Sequence, residues 1–194
     1  MPVALFITHP EVSIEPHVPV VRWGLSPAGV VRMTAFAASP LLEGVRQVWC
    51  STETKAVEAA KVVCARLGLV PGEIESLGEN DRSATGFLHR EAFERAADAF
   101  FAEPGQSFQG WERAIDAQRR IVKAVHRALQ ARPAGGDIAI VSHGAVGTLL
   151  KCHLKGIAIT RAEDQGSQGH WYAFDAHTHA LLHDWRPLEA ASAG

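Results

Sequence analysis

Two apolar runs, far apart in the chain, each stop abruptly at a histidine. Val3-Ala4-Leu5-Phe6-Ile7 ends in Thr8-His9-Pro10, and Ile138-Ala139-Ile140-Val141, introduced by Asp137, ends in Ser142-His143-Gly144. Short β-branched runs bounded by turn residues predict buried parallel strands, whose two faces are both covered. Val45 to Cys50 predicts another strand, and a short one follows near Glu73 to Ser76. Between the strands the apolar positions recur with helical spacing. Ser26-Pro27 supplies an N-cap and a proline at the first helical position, opening a helix that runs to about Ser39, where Pro40 closes it. Ser51-Thr52 are expected to cap a helix from about Glu53 to Leu67, with Ala56, Ala59, Ala60 and Val63 on its inner face and Gly68 as its C-cap. Trp111 to about Arg132 predicts a long amphipathic helix ended by Pro133 and Gly135-Gly136, and Gly144 opens another through Leu154. A hairpin closes the chain, His170 to Asp175 and Leu181 to Trp185 around Ala176 to Ala180.

Strands alternating with helices predict a three-layer α/β/α sandwich with a mostly parallel sheet and an antiparallel edge. Two segments break the rhythm. The loop from Pro10 to Gly24 is long for a strand-helix connection, and long ordered loops often carry function. The stretch from Leu77 to Trp111 is first polar (Glu79-Asn80-Asp81-Arg82), then helical and aromatic (Phe93, Phe100, Phe101). It reads as an insertion lying over the strand ends of a single domain spanning 1–194.

Composition narrows the function. With 194 residues, 47% of them hydrophobic, one sizeable core is expected. A formal net charge of -2 supplies neither a basic field for nucleic acid nor a polybasic membrane patch. The N-terminus lacks the basic region of a signal peptide, and no apolar run is long enough to span a membrane. Cys50, Cys64 and Cys152 form no CxxC pair. They read as reduced, buried thiols of a cytoplasmic protein. The sequence leaves the oligomeric state open.

In open α/β sheets, ligands bind beyond the carboxyl ends of the strands. Two imidazoles delivered to that edge from distant parts of the chain can therefore converge on one ligand. Four pieces occur in order: a strand ending in His9, a helix opening Ser51-Thr52-Glu53-Thr54-Lys55-Ala56, the acidic Glu79-Asn80-Asp81, and Ser142-His143-Gly144. This order, through a matching alternation of strands and helices, resembles the histidine phosphatase superfamily over nearly the whole chain. That group includes the phosphoglycerate mutases.

The resemblance implies a metal-independent phosphomonoesterase without a cofactor, acting on a small phosphorylated substrate. It implies that His9 attacks phosphorus to form a phosphohistidine, which splits one hard step into two easier ones. Fixed donors and cations must then face the phosphoryl oxygens. Lys55 stands at the family's second arginine position. A protonated His143 would add charge at the start of a helix, where backbone N–H groups favour an anion. Glu79 stands at the proton-donor position, with Asp81 as its competitor, unless Asp81 simply pairs with Arg82.

The chain departs from the family pattern beside the nucleophile. The family has Arg-His-Gly where this chain has Thr8-His9-Pro10. Arginine offers a bidentate fork, threonine a single neutral hydroxyl. Losing charge-assisted contacts of roughly 1.5–3 kcal/mol each lowers catalysis by tens to thousands of fold. Arg22 or Arg82 is a candidate replacement cation. The alternative to an atypical phosphatase is a catalytically weak or inactive binder of phosphorylated small molecules or phosphoproteins. A mutase is disfavoured by the lost arginine and the short chain.

Other polar residues have weaker readings. Ser142 either donates to phosphate, as Thr8 would, or caps the following helix. His177, His179 and His183 cluster at the closing hairpin without a cysteine or carboxylate pair to complete a metal set. His17 lies in the long loop, where its neighbours assign it no role. Phe93, Phe100, Phe101 and Trp111 are expected to pack beneath the insertion.

Overall fold

The structure, a computed structural model, describes residues 2–132 and 135–192. One sheet contains β1 (Val3–Thr8), β2 (Val45–Cys50), β3 (Gly72–Glu73), β4 (Asp137–Ser142), β5 (His170–Asp175) and β6 (Leu181–Pro187). Their spatial order is β3-β2-β4-β1-β5-β6. The strands from β3 to β1 are parallel, while β5 runs antiparallel to both β1 and β6. This is the expected α/β architecture with the hairpin at one edge.

Side-chain alternation along β1 assigns the layers. Ala4 and Phe6 join a core with α3 (Arg90–Ala102), α4 (Ala114–Gln130) and α5 (Gly144–Lys155). Leu5 and Ile7 join the opposite core, with α1 (Pro27–Ala37) and α2 (Thr54–Leu67). Burying each large side chain contributes about 1.5–3 kcal/mol. Phe100, Phe101 and Trp111 are buried in the first core and Phe93 packs against it, so the aromatics of the 77–111 segment are packing residues as expected. The three cysteines are buried and free; burial pushes Cys50 up to about 12 and Cys64 up to about 11. No helix among the described residues is long and apolar enough to cross a membrane.

Strand register builds the functional edge. Ile7 pairs with Val141 and Thr8 with Ser142, so His9 and His143 leave the sheet side by side. Cys50 also pairs with Val141, which brings Ser51 to the same edge.

Several element boundaries differ from expectation because backbone groups find other partners. The strand expected at Glu73 to Ser76 is only Gly72–Glu73, followed by a 3-10 turn at Glu75–Leu77. Arg120 takes the Ser76 carbonyl at 2.9 Å. Helix α2 starts at Thr54, with Glu53 at its N-cap and no side-chain cap; the Ser51 hydroxyl accepts from the Glu53 N–H at 3.3 Å. Helix α4 starts at Ala114 rather than Trp111, because the Glu112 N–H donates to the Asp81 carbonyl at 2.7 Å. Ser26 caps α1 through the Gly29 N–H as read from the sequence, but α1 ends at Ala37 and Ser39 caps the next turn. Pro133, the expected stop for α4, and the terminal Ala193-Gly194 lie outside the described residues.

Candidate active site

His9 follows β1 and is 9% exposed. Its Nδ1–H donates to the Pro10 carbonyl at 2.8 Å. That bond assigns the proton to Nδ1 and leaves Nε2 with a free lone pair. Burial chiefly, with the nearby charges of Lys55 and Arg82, lowers its pKa to about 4. At neutral pH His9 is uncharged, with its tautomer fixed by the carbonyl of Pro10.

His143 is the N-cap of α5 and is fully buried. Its ring stands 5.2 Å from that of His9, centroid to centroid, nearly edge to face. Nε2 lies 2.7 Å from Ser51 Oγ and 3.4 Å from Glu53 Oε1, while Nδ1 has no partner among the described residues. The protonated form of His143 is disfavoured here: burial drives its pKa well below the usual histidine value, against the pull of Glu53.

Lys55 reaches the site but not as a free cation. Its Nζ, at a residue only 3% exposed, donates to Glu53 Oε2 at 2.5 Å and to the Val20 carbonyl at 2.9 Å. Burial opposes ionisation of Glu53, yet His143, Lys55 and the Glu79 N–H hold its pKa at about 2. Sequence reasoning treated Glu53 only as the first residue of a helix; a carboxylate two residues before a site lysine was the available signal.

Glu79 and Asp81 separate clearly. Glu79 accepts from the Val146 and Asn80 N–H groups (both 3.1 Å) and from the Ala145 N–H (3.2 Å), which joins it to the start of α5. Burial, only partly offset by Arg82, raises its pKa. Asp81 is exposed, accepts from the Ser83 N–H at 2.9 Å, and has a lowered pKa because of that contact. Arg120 holds the loop in place, donating to the Ser76, Gly78 and Glu79 carbonyls at 2.9–3.0 Å and pairing with Glu112. An α4 arginine gave no sequence signal of this role.

Arg82 does not pair with Asp81. Its guanidinium lies 4.9 Å over the Phe93 ring, and its charge acts on His9, His143 and Glu79. Arg22 and Arg82 both line a cavity of about 1080 Å³ together with Glu53, Glu79 and Asn80; neither His9 nor His143 is among its lining residues. Asn80 is 5% exposed, and its Nδ2 has no partner among the described residues.

Thr8 is fully buried, with its hydroxyl 2.7 Å from Gln165 Oε1 and accepting from the His170 N–H at 2.9 Å. Ser142 neither faces the site nor caps α5: its hydroxyl donates to the Leu77 carbonyl at 2.7 Å, on the face that strand alternation assigns to it. The hairpin histidines diverge. His177 and His179 sit in the turn rather than on a strand; His177 meets Arg132, His179 stacks on His126, and His183 packs on Trp171. His17 is exposed and is not among the residues lining the cavity.

A family model of the histidine phosphatase superfamily (branch 1) matches residues 21–179. The chain belongs to the histidine phosphatase superfamily. The matched span contains Lys55, Glu79 and His143 and begins after His9. Solved structures share this fold at low sequence identity. A mycobacterial glucosyl-3-phosphoglycerate phosphatase in complex with inorganic phosphate superposes with a TM-score of 0.75 at 18% identity, covering 96% of this chain and 95% of that one. An alpha-ribazole phosphatase from Shigella flexneri gives 0.71 at 18%, covering 99% and 98%. YhfR from Bacillus stearothermophilus gives 0.71 at 20%, with 95% of each chain covered. No curated protein matches by sequence.

Proposed function

We propose that this histidine phosphatase superfamily member is a metal-independent phosphomonoester hydrolase that acts through a covalent phosphohistidine on His9. The observation carrying this reading is the Nδ1–H contact to Pro10 at 2.8 Å, which leaves His9 Nε2 unprotonated at the sheet edge beside His143. In the first step His9 Nε2 forms a bond to phosphorus and the ester P–O bond breaks. Glu79, protonated more readily than an ordinary carboxyl, gives its proton to the departing oxygen. In the second step Glu79 takes a proton from water, whose oxygen attacks phosphorus and displaces His9. An arriving phosphate also favours protonation of His143, because a nearby anion stabilises the imidazolium. The segment 77–111 supplies Glu79 and Arg82, and we read it as the roof of the site in a single domain.

A second reading, a catalytically weak or inactive binder of phosphorylated ligands, is favoured by one specific feature. Lys55 is neutralised by Glu53, and that carboxylate repels phosphate. Turnover of aryl phosphates discriminates the two. Wild type should hydrolyse them in the presence of a chelator, His9→Ala should be inactive while keeping its fold by circular dichroism, and alkaline quenching should trap acid-labile phosphate on His9. A folded His9→Ala variant with wild-type turnover would falsify the nucleophile assignment. Loss of activity with chelator overturns metal independence, and ligand binding without turnover supports the binder.

A further inference from the structure

Position 8, where the superfamily has arginine, shares its space here with a residue from far along the chain. Gln165, in the loop between α5 and β5, is 157 residues away, yet its Oε1 lies 2.7 Å from the Thr8 hydroxyl. That hydroxyl also accepts from the His170 N–H at 2.9 Å, and of its two possible acceptors the Gln165 oxygen at 2.7 Å is nearer than the His170 carbonyl at 3.2 Å. The carbonyl oxygen of Gln165 therefore faces Thr8 and the NH₂ faces away. Gln165 is half-buried, and its Nε2 makes no hydrogen bond among the described residues. It lies directly over Gly144: a Cβ added there would stand 2.4 Å from it. Gly144 is the first residue of α5 and follows His143, whose fully buried Nδ1 also lacks a partner.

We infer that Gln165, turned by Thr8, is a phosphoryl-binding residue that takes the place of the missing arginine. The amide offers two N–H donors at the helix start and no charge. Glycine at 144 gives it room, and a short side chain at 8 both makes space and fixes the orientation. The ligand class is a phosphomonoester or inorganic phosphate. Thr8 then acts as a positioning residue rather than the direct phosphate contact expected from the sequence. The inference rests on the phosphatase reading.

Orthovanadate binding tests it, measured by calorimetry and as competitive inhibition of aryl phosphate hydrolysis. Gln165→Ala should weaken vanadate about ten- to a hundredfold, the range for one hydrogen bond to a charged group, with an unchanged melting temperature. Thr8→Val should weaken it in the same direction by freeing the amide to turn. Thr8→Arg alone should gain nothing, because the guanidinium meets the Gln165 side chain. Thr8→Arg combined with Gln165→Ala should bind more tightly than Gln165→Ala. If wild type binds vanadate and Gln165→Ala binds it equally well, the role of Gln165 is overturned while the phosphatase reading stands. If wild type neither binds vanadate nor hydrolyses aryl phosphates, the phosphatase reading fails and this inference falls with it.

Discussion

Replacing Glu53 by glutamine should make the protein less stable and its site more receptive to anions. The Glu53 and Lys55 side chains are 10% and 4% exposed, with 2.5 Å between the charged atoms. Glutamine can still accept from the Glu79 N–H through its oxygen, but it then turns an NH₂ group toward the Lys55 ammonium. Removing one partner of a buried ion pair costs about 3–5 kcal/mol, a large share of a stability of about 5–15 kcal/mol. Lys55→Met should cost a similar amount by stranding the carboxylate. The double variant removes both charges and should be no worse than the poorer single. Urea denaturation at pH 7, where Glu53 is ionised, reads this as a double-mutant cycle. Vanadate affinity should rise in Glu53→Gln, because the site loses a negative charge and Lys55 loses its restraint. Single-variant losses below about 1 kcal/mol that add within about 0.5 kcal/mol would refute the coupling.

Two further outcomes follow from the titrating groups. The folded-state pKa of His9 lies below its unfolded value of 6.5, so the unfolded chain binds the proton first and stability should fall as pH drops from about 6.5 to about 4. His9 alone accounts for about 3 kcal/mol of that loss, and His9→Gln should flatten the slope of urea-derived stability against pH; an unaltered slope contradicts the neutral buried imidazole. Because burial raises the Glu79 pKa, its proton is lost only above the ordinary carboxylate range, and kcat/KM should decline there with rising pH. Glu79→Gln should remove that limb and slow esters with poor leaving groups most. The same pattern in Asp81→Asn instead would transfer the role.

What could be read from the chain was what depends on local pattern. The histidines were visible because β-branched runs end at them, and parallel register then makes their meeting almost unavoidable. Glu79 was singled out only through the family pattern, which places an acidic residue in the insertion. The partners of Thr8 and Ser142 were not legible: Ser142 finds the Leu77 carbonyl, and Thr8 finds Gln165. Glu53, Gln165 and Arg120 were missed because their roles depend on contacts across the fold. Whether His143 is charged was not legible for a related reason: sequence reveals a basic residue, whereas burial decides whether it holds a proton.

The combination of retained geometry and altered charge narrows how such a site can work. His9 has a fixed tautomer, and His143 stands beside it. On the strand side, however, Thr8 and Gln165 are both neutral, and Lys55 is matched by Glu53. Arg82, with no ion-pair partner among the described residues, remains on the cavity side, where its charge reaches both histidines and Glu79. On the proposed mechanism a phosphoryl group is therefore held by neutral donors from beneath and drawn by positive charge from above. A monoanion suits that environment better than a dianion, since a second negative charge meets Glu53 without a further free cation from the strand side. The binding preference should thus favour the singly charged phosphate, linking the use of the site to mildly acidic conditions while His9 itself remains neutral down to about 4.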